Sequence, residues 1–183
     1  KLCGEDVMEL NVDRLQRNSK MTVSFGLGFI LIKLSDSDRL HFYHPECKIG
    51  TSDHPHDHRY DFRSRVLRGA LENTIWKVEE GSGWKIHFET CKVNVPSKPP
   101  APCRAAASVS NIFTTREGYE YQMDMDTFHT IRPLGTCITH LHRSEIKKEF
   151  ARVVVPNGET IVCPFGSSIS IGRIWEIVEE CLA

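Results

Sequence analysis

The feature that most constrains this chain is its rhythm of short β-branched and aromatic runs, each closed by turn residues. Met21–Phe25, Phe29–Leu34 and Leu40–His44 come first, with Ser35-Asp36-Ser37-Asp38 reversing the chain between the last two. Ser64–Arg68, Leu71–Val78, Trp84–Cys91, Ser108–Phe113, Glu120–Met125, Thr127–Pro133, Thr136–His142 and Ala151–Val155 follow at close intervals. Glu80-Gly81-Ser82-Gly83, the Pro-rich 96–102 stretch, Arg116-Glu117-Gly118, Pro133-Leu134-Gly135 and Pro156-Asn157-Gly158 punctuate them. Many short strands with regular turn chemistry predict an all-β sandwich or small barrel.

Helical spacing occurs only at the two ends. Val7, Leu10, Val12 and Leu15 predict an amphipathic helix over Asp6–Arg17, and Ile174, Ile177, Val178 and Leu182 predict another over Ile171–Leu182. With 183 residues, one domain is expected: a helical segment over 1–20, a β-barrel over 21–155 and a C-terminal extension with a helix over 156–183. A formal net charge of −1 argues against a nucleic-acid partner, and no apolar run approaches the ~20 residues a bilayer helix needs. The seven cysteines are scattered without a CxxC pair, which fits reduced thiols and a cytoplasmic location. Lys1–Asp6 lacks the apolar stretch of a secretory signal.

Chemistry is concentrated in the histidines. His56 and His58 are two apart, so an extended backbone aims both imidazoles to one side. His54 shares that parity, although Pro55 weakens a ladder there. Convergent neutral imidazoles are the usual nitrogen ligands of divalent metals, and His129, on the strand Thr127–Pro133, is the leading third ligand. The cluster His129, His140 and His142 lies downstream. His41 and His44 are expected on a hairpin surface and Cys137 in the core, while Trp76, Trp84 and Trp175 suit sheet packing. If the strand after the histidines alternates regularly, Ser64, Val66 and Arg68 face one way with Phe62, and Arg63 and Arg65 the other.

His56-Asp57-His58, three residues, Phe62, six residues and Gly69 together resemble the first motif of the cupin family, in which the Phe62 position usually carries a metal-binding Glu. Val66-Leu67-Arg68-Gly69-Ala70-Leu71 is similar to the strand-turn-strand that follows in that family, and His129 occupies the place of its second-motif His, with Asp124 and Asp126 replacing a Pro and a Gly. Among cupins the resemblance is to the cysteine dioxygenase group, through His56-Asp57-His58, the missing Glu, and Leu67-x-Gly69-x-Leu71-x-x-Thr74. It implies a double-stranded β-helix (jelly-roll) fold that often pairs edge to edge as a homodimer. It also implies Fe(II), or Zn, Ni or Mn, on His56, His58 and His129, and oxidation of a small thiol or carboxylate substrate. His142 would match the family's relay histidine, and Lys33 is the cation offered where the family binds the substrate carboxylate with Arg. Phe62 and Ser144 stand where eukaryotic members carry a crosslinked Cys and Tyr. A non-catalytic ligand-binding or sensor cupin and a cupin sugar isomerase or epimerase are the alternatives.

Overall fold

A computed structural model describes residues 10–47, 53–89, 98–161 and 169–183. Two antiparallel sheets dominate. In chain order the elements are α1 (Val12–Asn18), β1 (Met21–Phe25), β2 (Phe29–Lys33), β3 (Asp38–Tyr43), β4 (Phe62–Arg68), β5 (Ala70–Glu89), β6 (Cys103–Arg116), β7 (Glu120–Met123), β8 (Phe128–Pro133), β9 (Cys137–Arg143), β10 (Ala151–Pro156) and α2 (Ile171–Leu182). The first sheet runs β1-β2-β3-β9-β4-β7. In the second, β6 lines one side of the long β5, while β8 pairs residues 71–76 and β10 pairs residues 84–89. The fold is therefore a sandwich. Among the described residues no strand pair closes it into the barrel expected over 21–155, because no strand bonds to both sheets.

The continuous apolar run Phe29–Ile32 is explained by burial on both sides of the first sheet. Phe29, Leu31, Tyr43, Val66 and Cys137 point inward and meet Leu71 and Ile131 of the second sheet. Ile30, Ile32, Leu40, Phe42 and Ile138 point outward and are covered by Leu15 of α1 and by Ile174, Ile177, Val178 and Cys181 of α2. Spacings of three, four and seven along α2 put its four residues on one stripe, and Ser170 caps it by accepting from the Arg173 amide. α1 begins at Val12 because Asn11 caps it through the Arg14 amide. The expected start at Asp6, the strand end at Cys91 and part of the Pro-rich stretch lie outside the described residues. No helix among the described residues is long and apolar enough to cross a membrane.

Two local departures from the expected pattern have backbone causes. Glu80–Gly83 is not a turn, since β5 runs through it: pairing with β6 jumps from Glu79↔Ala106 to Trp84↔Ala105, which makes the Gly-Ser-Gly a bulge. A second bulge lies at Leu67, where the β4–β9 register shifts between Val66 and Arg68. It breaks the alternation that would turn Arg68 inward with Phe62; the Arg68 guanidinium instead donates to the Cys181 carbonyl of α2 at 2.9 Å. Gly69 then carries the chain from the first sheet to the second at φ +78°, with the Thr136 carbonyl oxygen 2.4 Å from where a Cβ would stand. Only glycine fits that corner.

Candidate metal centre

The segment before β4 is fixed by backbone bonds at almost every residue. His56 exchanges amide–carbonyl bonds with His129 of β8 at 3.1 and 2.9 Å, and the His58 amide donates to the Met125 carbonyl at 3.2 Å. The Asp57 amide donates to the Arg152 carbonyl of β10, whose neighbour Val154 donates to Pro55. Alternation turns Asp57 away from its flanking histidines. Its carboxylate is fully buried and accepts from the Arg152 amide (2.6 Å), Arg152 Nε (2.5 Å) and Lys148 Nζ (2.7 Å). Asp57 therefore anchors the segment, and the two histidines are presented by it.

His56, His58 and His129 form one cluster, with ring centroids 5.2, 5.0 and 5.1 Å apart. One ring nitrogen from each lies within 4.8 Å of the others, the geometry of a three-ligand metal site. In His56 and His129 the second nitrogens are already committed. His56 Nδ1 faces the His54 carbonyl at 2.9 Å, and beside it is Asp53 Oδ1, a buried oxygen without another partner. His129 Nδ1 faces Asn73 Oδ1 at 3.4 Å. When each Nδ1 donates, each Nε2 keeps its lone pair for a cation, which is how metal-binding imidazoles are generally held. His58 Nε2 and His129 Nε2 are 2.9 Å apart. Two nitrogens roughly 2.1 Å from an ion and at right angles would be about 3 Å apart, and those of a tetrahedron about 3.4 Å. The donor set fits a divalent ion, and it contains no carboxylate. Phe62 packs its ring edge-on to His58 at 4.8 Å.

Burial holds His58 and His129 well below the ordinary imidazole value of 6.5, reinforced for His58 by both neighbouring imidazoles and for His129 by His56. Burial does the same to His41, with Arg39 adding to it. A folded-state pKa below the unfolded one means that the unfolded chain binds more protons. The stability of these groups is therefore complete above about pH 6.5 and is lost as pH falls from there, at up to about 1.4 kcal/mol per pH unit per group. Asp53, raised from 3.8 by burial, works in the opposite sense and offsets part of this. Asp38, which is held low, weakens the fold only below about pH 3.8. Urea midpoints of the metal-free protein will consequently fall between about pH 7 and pH 5; a flat or rising midpoint contradicts neutral burial of these rings.

The other residues expected at the site are placed elsewhere. His142 lies on the outer side of the first sheet. On β9, Leu141 shares the interior cluster of Phe62 and Met123, while Ile138, in phase with His142, packs under α2. His142 Nδ1 and His140 Nε2 both meet Asp38 Oδ1, at 2.8 and 3.2 Å, and neither joins the triad. Lys33 shares the inward phase of Phe29 and Leu31, but its ammonium is bonded to Asp36 at 2.8 Å. His54 turns its ring to Glu159 and contributes only its carbonyl. Cys137 is a buried core residue whose thiol burial pushes up to about 12. His44, Glu46 and Glu180 form another group within ligating reach, but Arg173 already bonds Glu46 and Glu180.

Several interior polar residues had a readable signal that sequence reasoning missed. Asn73 interrupts the inward phase Leu71-x-Asn73-x-Ile75, and Arg39 and His41 interrupt Arg39-x-His41-x-Tyr43. His41 is 6% exposed, contrary to the hairpin-surface expectation, and its Nε2 is buried without a partner. Asn73 is fully buried, and Oδ1 is its contact with His129. Replacing Asn73 by alanine will weaken metal binding about 10–100-fold. A competition titration against a chromophoric chelator measures this, and unchanged affinity would remove Asn73 from the support of His129.

No family model matches the chain, and a search of curated proteins gives no match.

Proposed function

We propose that the protein is a cupin-type, Fe(II)-dependent oxygenase similar to the cysteine dioxygenase group, acting on a small anionic thiol or carboxylate. The observation that carries this reading is the convergence of three imidazoles from two distant segments, with Phe62 in place of a carboxylate ligand. The antiparallel two-sheet sandwich is compatible with a jelly-roll, and the His58 and His129 nitrogens, 2.9 Å apart, are close enough to share one ion.

A bound iron(II) ion would offer open positions to substrate and dioxygen and polarise both. The protein's part is orientation and exclusion of water. Phe62 and Leu141 form the apolar wall behind His58. His41, on the inward side of β3, takes the orienting role that the resemblance gives to His142. Its Nδ1 is 3.5 Å from both Tyr43 OH and Thr139 Oγ1, which leaves the unpartnered Nε2 to hold a hydrogen bond to a substrate.

Oxygen consumption by the iron-loaded protein over a panel of small thiols and carboxylates tests the reading; turnover of at least one member, abolished in His58→Ala, is the expected result. A ligand-binding protein without catalysis is the second reading, favoured by the same 2.9 Å spacing, at which His58 and His129 satisfy each other as a hydrogen bond. A folded, stable protein that takes up no iron and shows no oxygen uptake across the panel would favour it.

A further inference from the structure

We infer that Arg39 and Arg143 form a two-guanidinium clamp about Tyr60 that receives a dianionic head group on the substrate. This rests on the triad being a metal site only in so far as the bound molecule is that site's substrate. Tyr60 follows the histidine segment, and its ring lies 5.6 Å from that of His58. Arg39, from β3, holds its guanidinium carbon 5.4 Å from the Tyr60 ring centre, and Arg143, from the end of β9, holds its own at 5.0 Å. Strands separated by about a hundred residues thus place two cations on one aromatic ring beside the imidazoles.

These two arginines differ from Arg132, Arg152 and Arg173, which are ion-paired, and from Arg59 and Arg68, which bond backbone carbonyls, in sharing one aromatic ring. Arg132 is bonded to Glu72, Arg152 to Asp57 and Asp126, and Arg173 to Glu46, Glu176 and Glu180. Among the described residues, Arg39 and Arg143 have no carboxylate within ion-pair distance. Arg39 Nη2 donates to Tyr60 OH at 2.5 Å, while its Nε is buried and unpartnered. Arg143 Nη1 reaches only the Ser144 carbonyl, at 3.4 Å. Asp36, whose carboxylate feels Arg143, is bonded to Lys33. Half-buried guanidiniums without counter-charges, both held beside one tyrosine ring, have donors left for forked bonds to oxyanions. One carboxylate would neutralise one of them; a phosphate or a pair of carboxylates would neutralise both.

The clamp is tested apart from the metal by calorimetric titration of chelator-treated protein with inorganic phosphate, succinate and acetate at matched ionic strength and pH 8. Phosphate or succinate should bind at least tenfold more tightly than acetate, and which of them does so identifies a tetrahedral or a two-carboxylate head. Arg143→Gln should erase at least tenfold of that preference and Arg143→Lys restore part of it, with metal stoichiometry unchanged in both. Equal binding of all three anions, or a preference that survives Arg143→Gln, overturns the clamp. Loss of metal binding in a protein that keeps its phosphate or succinate preference would instead overturn the metal reading alone.

Discussion

Replacing His129 by alanine will reduce the metal content of protein purified without chelator from about one ion per chain to less than about a tenth, because a three-ligand site reduced to two cannot hold a labile divalent ion. His129 is the most decisive of the three positions. The residue is 3% exposed, its backbone is paired with His56, and its Nδ1 faces Asn73 Oδ1. His58→Ala should behave alike, whereas His142→Ala and His54→Ala should keep full occupancy, since their rings are engaged by Asp38 and Glu159. Metal analysis by mass spectrometry, alongside circular dichroism to verify folding, gives the answer. Retention of metal in His129→Ala, or its loss in His142→Ala, would mean that the ion is bound elsewhere.

Asp57→Ala will be the most destabilising of the charge-removing substitutions near the site. The carboxylate is fully buried and charge-paired with both Lys148 and Arg152, and breaking such an arrangement costs about 3–5 kcal/mol. Asp126 remains to pair both cations, which puts the expected loss near the lower figure. For a chain of this size, a loss of about 3 kcal/mol lowers the melting temperature by about 6–12 °C. Asp126→Ala removes an exposed partner from the same cations and should cost under about 1 kcal/mol. The Asp57 variant should also bind metal more weakly, because the anchor that presents His56 and His58 is gone. Equal melting shifts for the two variants would show that Asp57 is not the anchor.

The β-rich architecture and both helices were legible because their signals are local. Alternation, turn residues and helical spacing act within a few positions, and they marked strands and helices close to where they occur. Glu80–Gly83 was misread because glycines that end a strand and glycines that bulge one look alike in sequence. The convergence of the candidate metal ligands was legible through the parity of His56 and His58 and through the resemblance. The side of the sheet on which His142 lies was not. Sheet parity decides which of Leu141 and His142 faces the interior, and the first sheet is buried on both sides, so apolar residues occur in both phases and leave parity ambiguous. Lys33 has the expected inward phase, but a hairpin acid holds its ammonium, a contact that strand patterning does not encode. Arg39 and His41, on the neighbouring strand β3, were missed because Leu40–His44 reads first as a surface hairpin arm.

X-ray absorption spectroscopy of the protein loaded anaerobically with one equivalent of Fe(II) tests the central claim most directly. Coordination by His56, His58 and His129 predicts a first shell of nitrogen and oxygen only, with the outer-shell scattering of three imidazoles. A sulfur neighbour, or scattering from one imidazole or none, would contradict it.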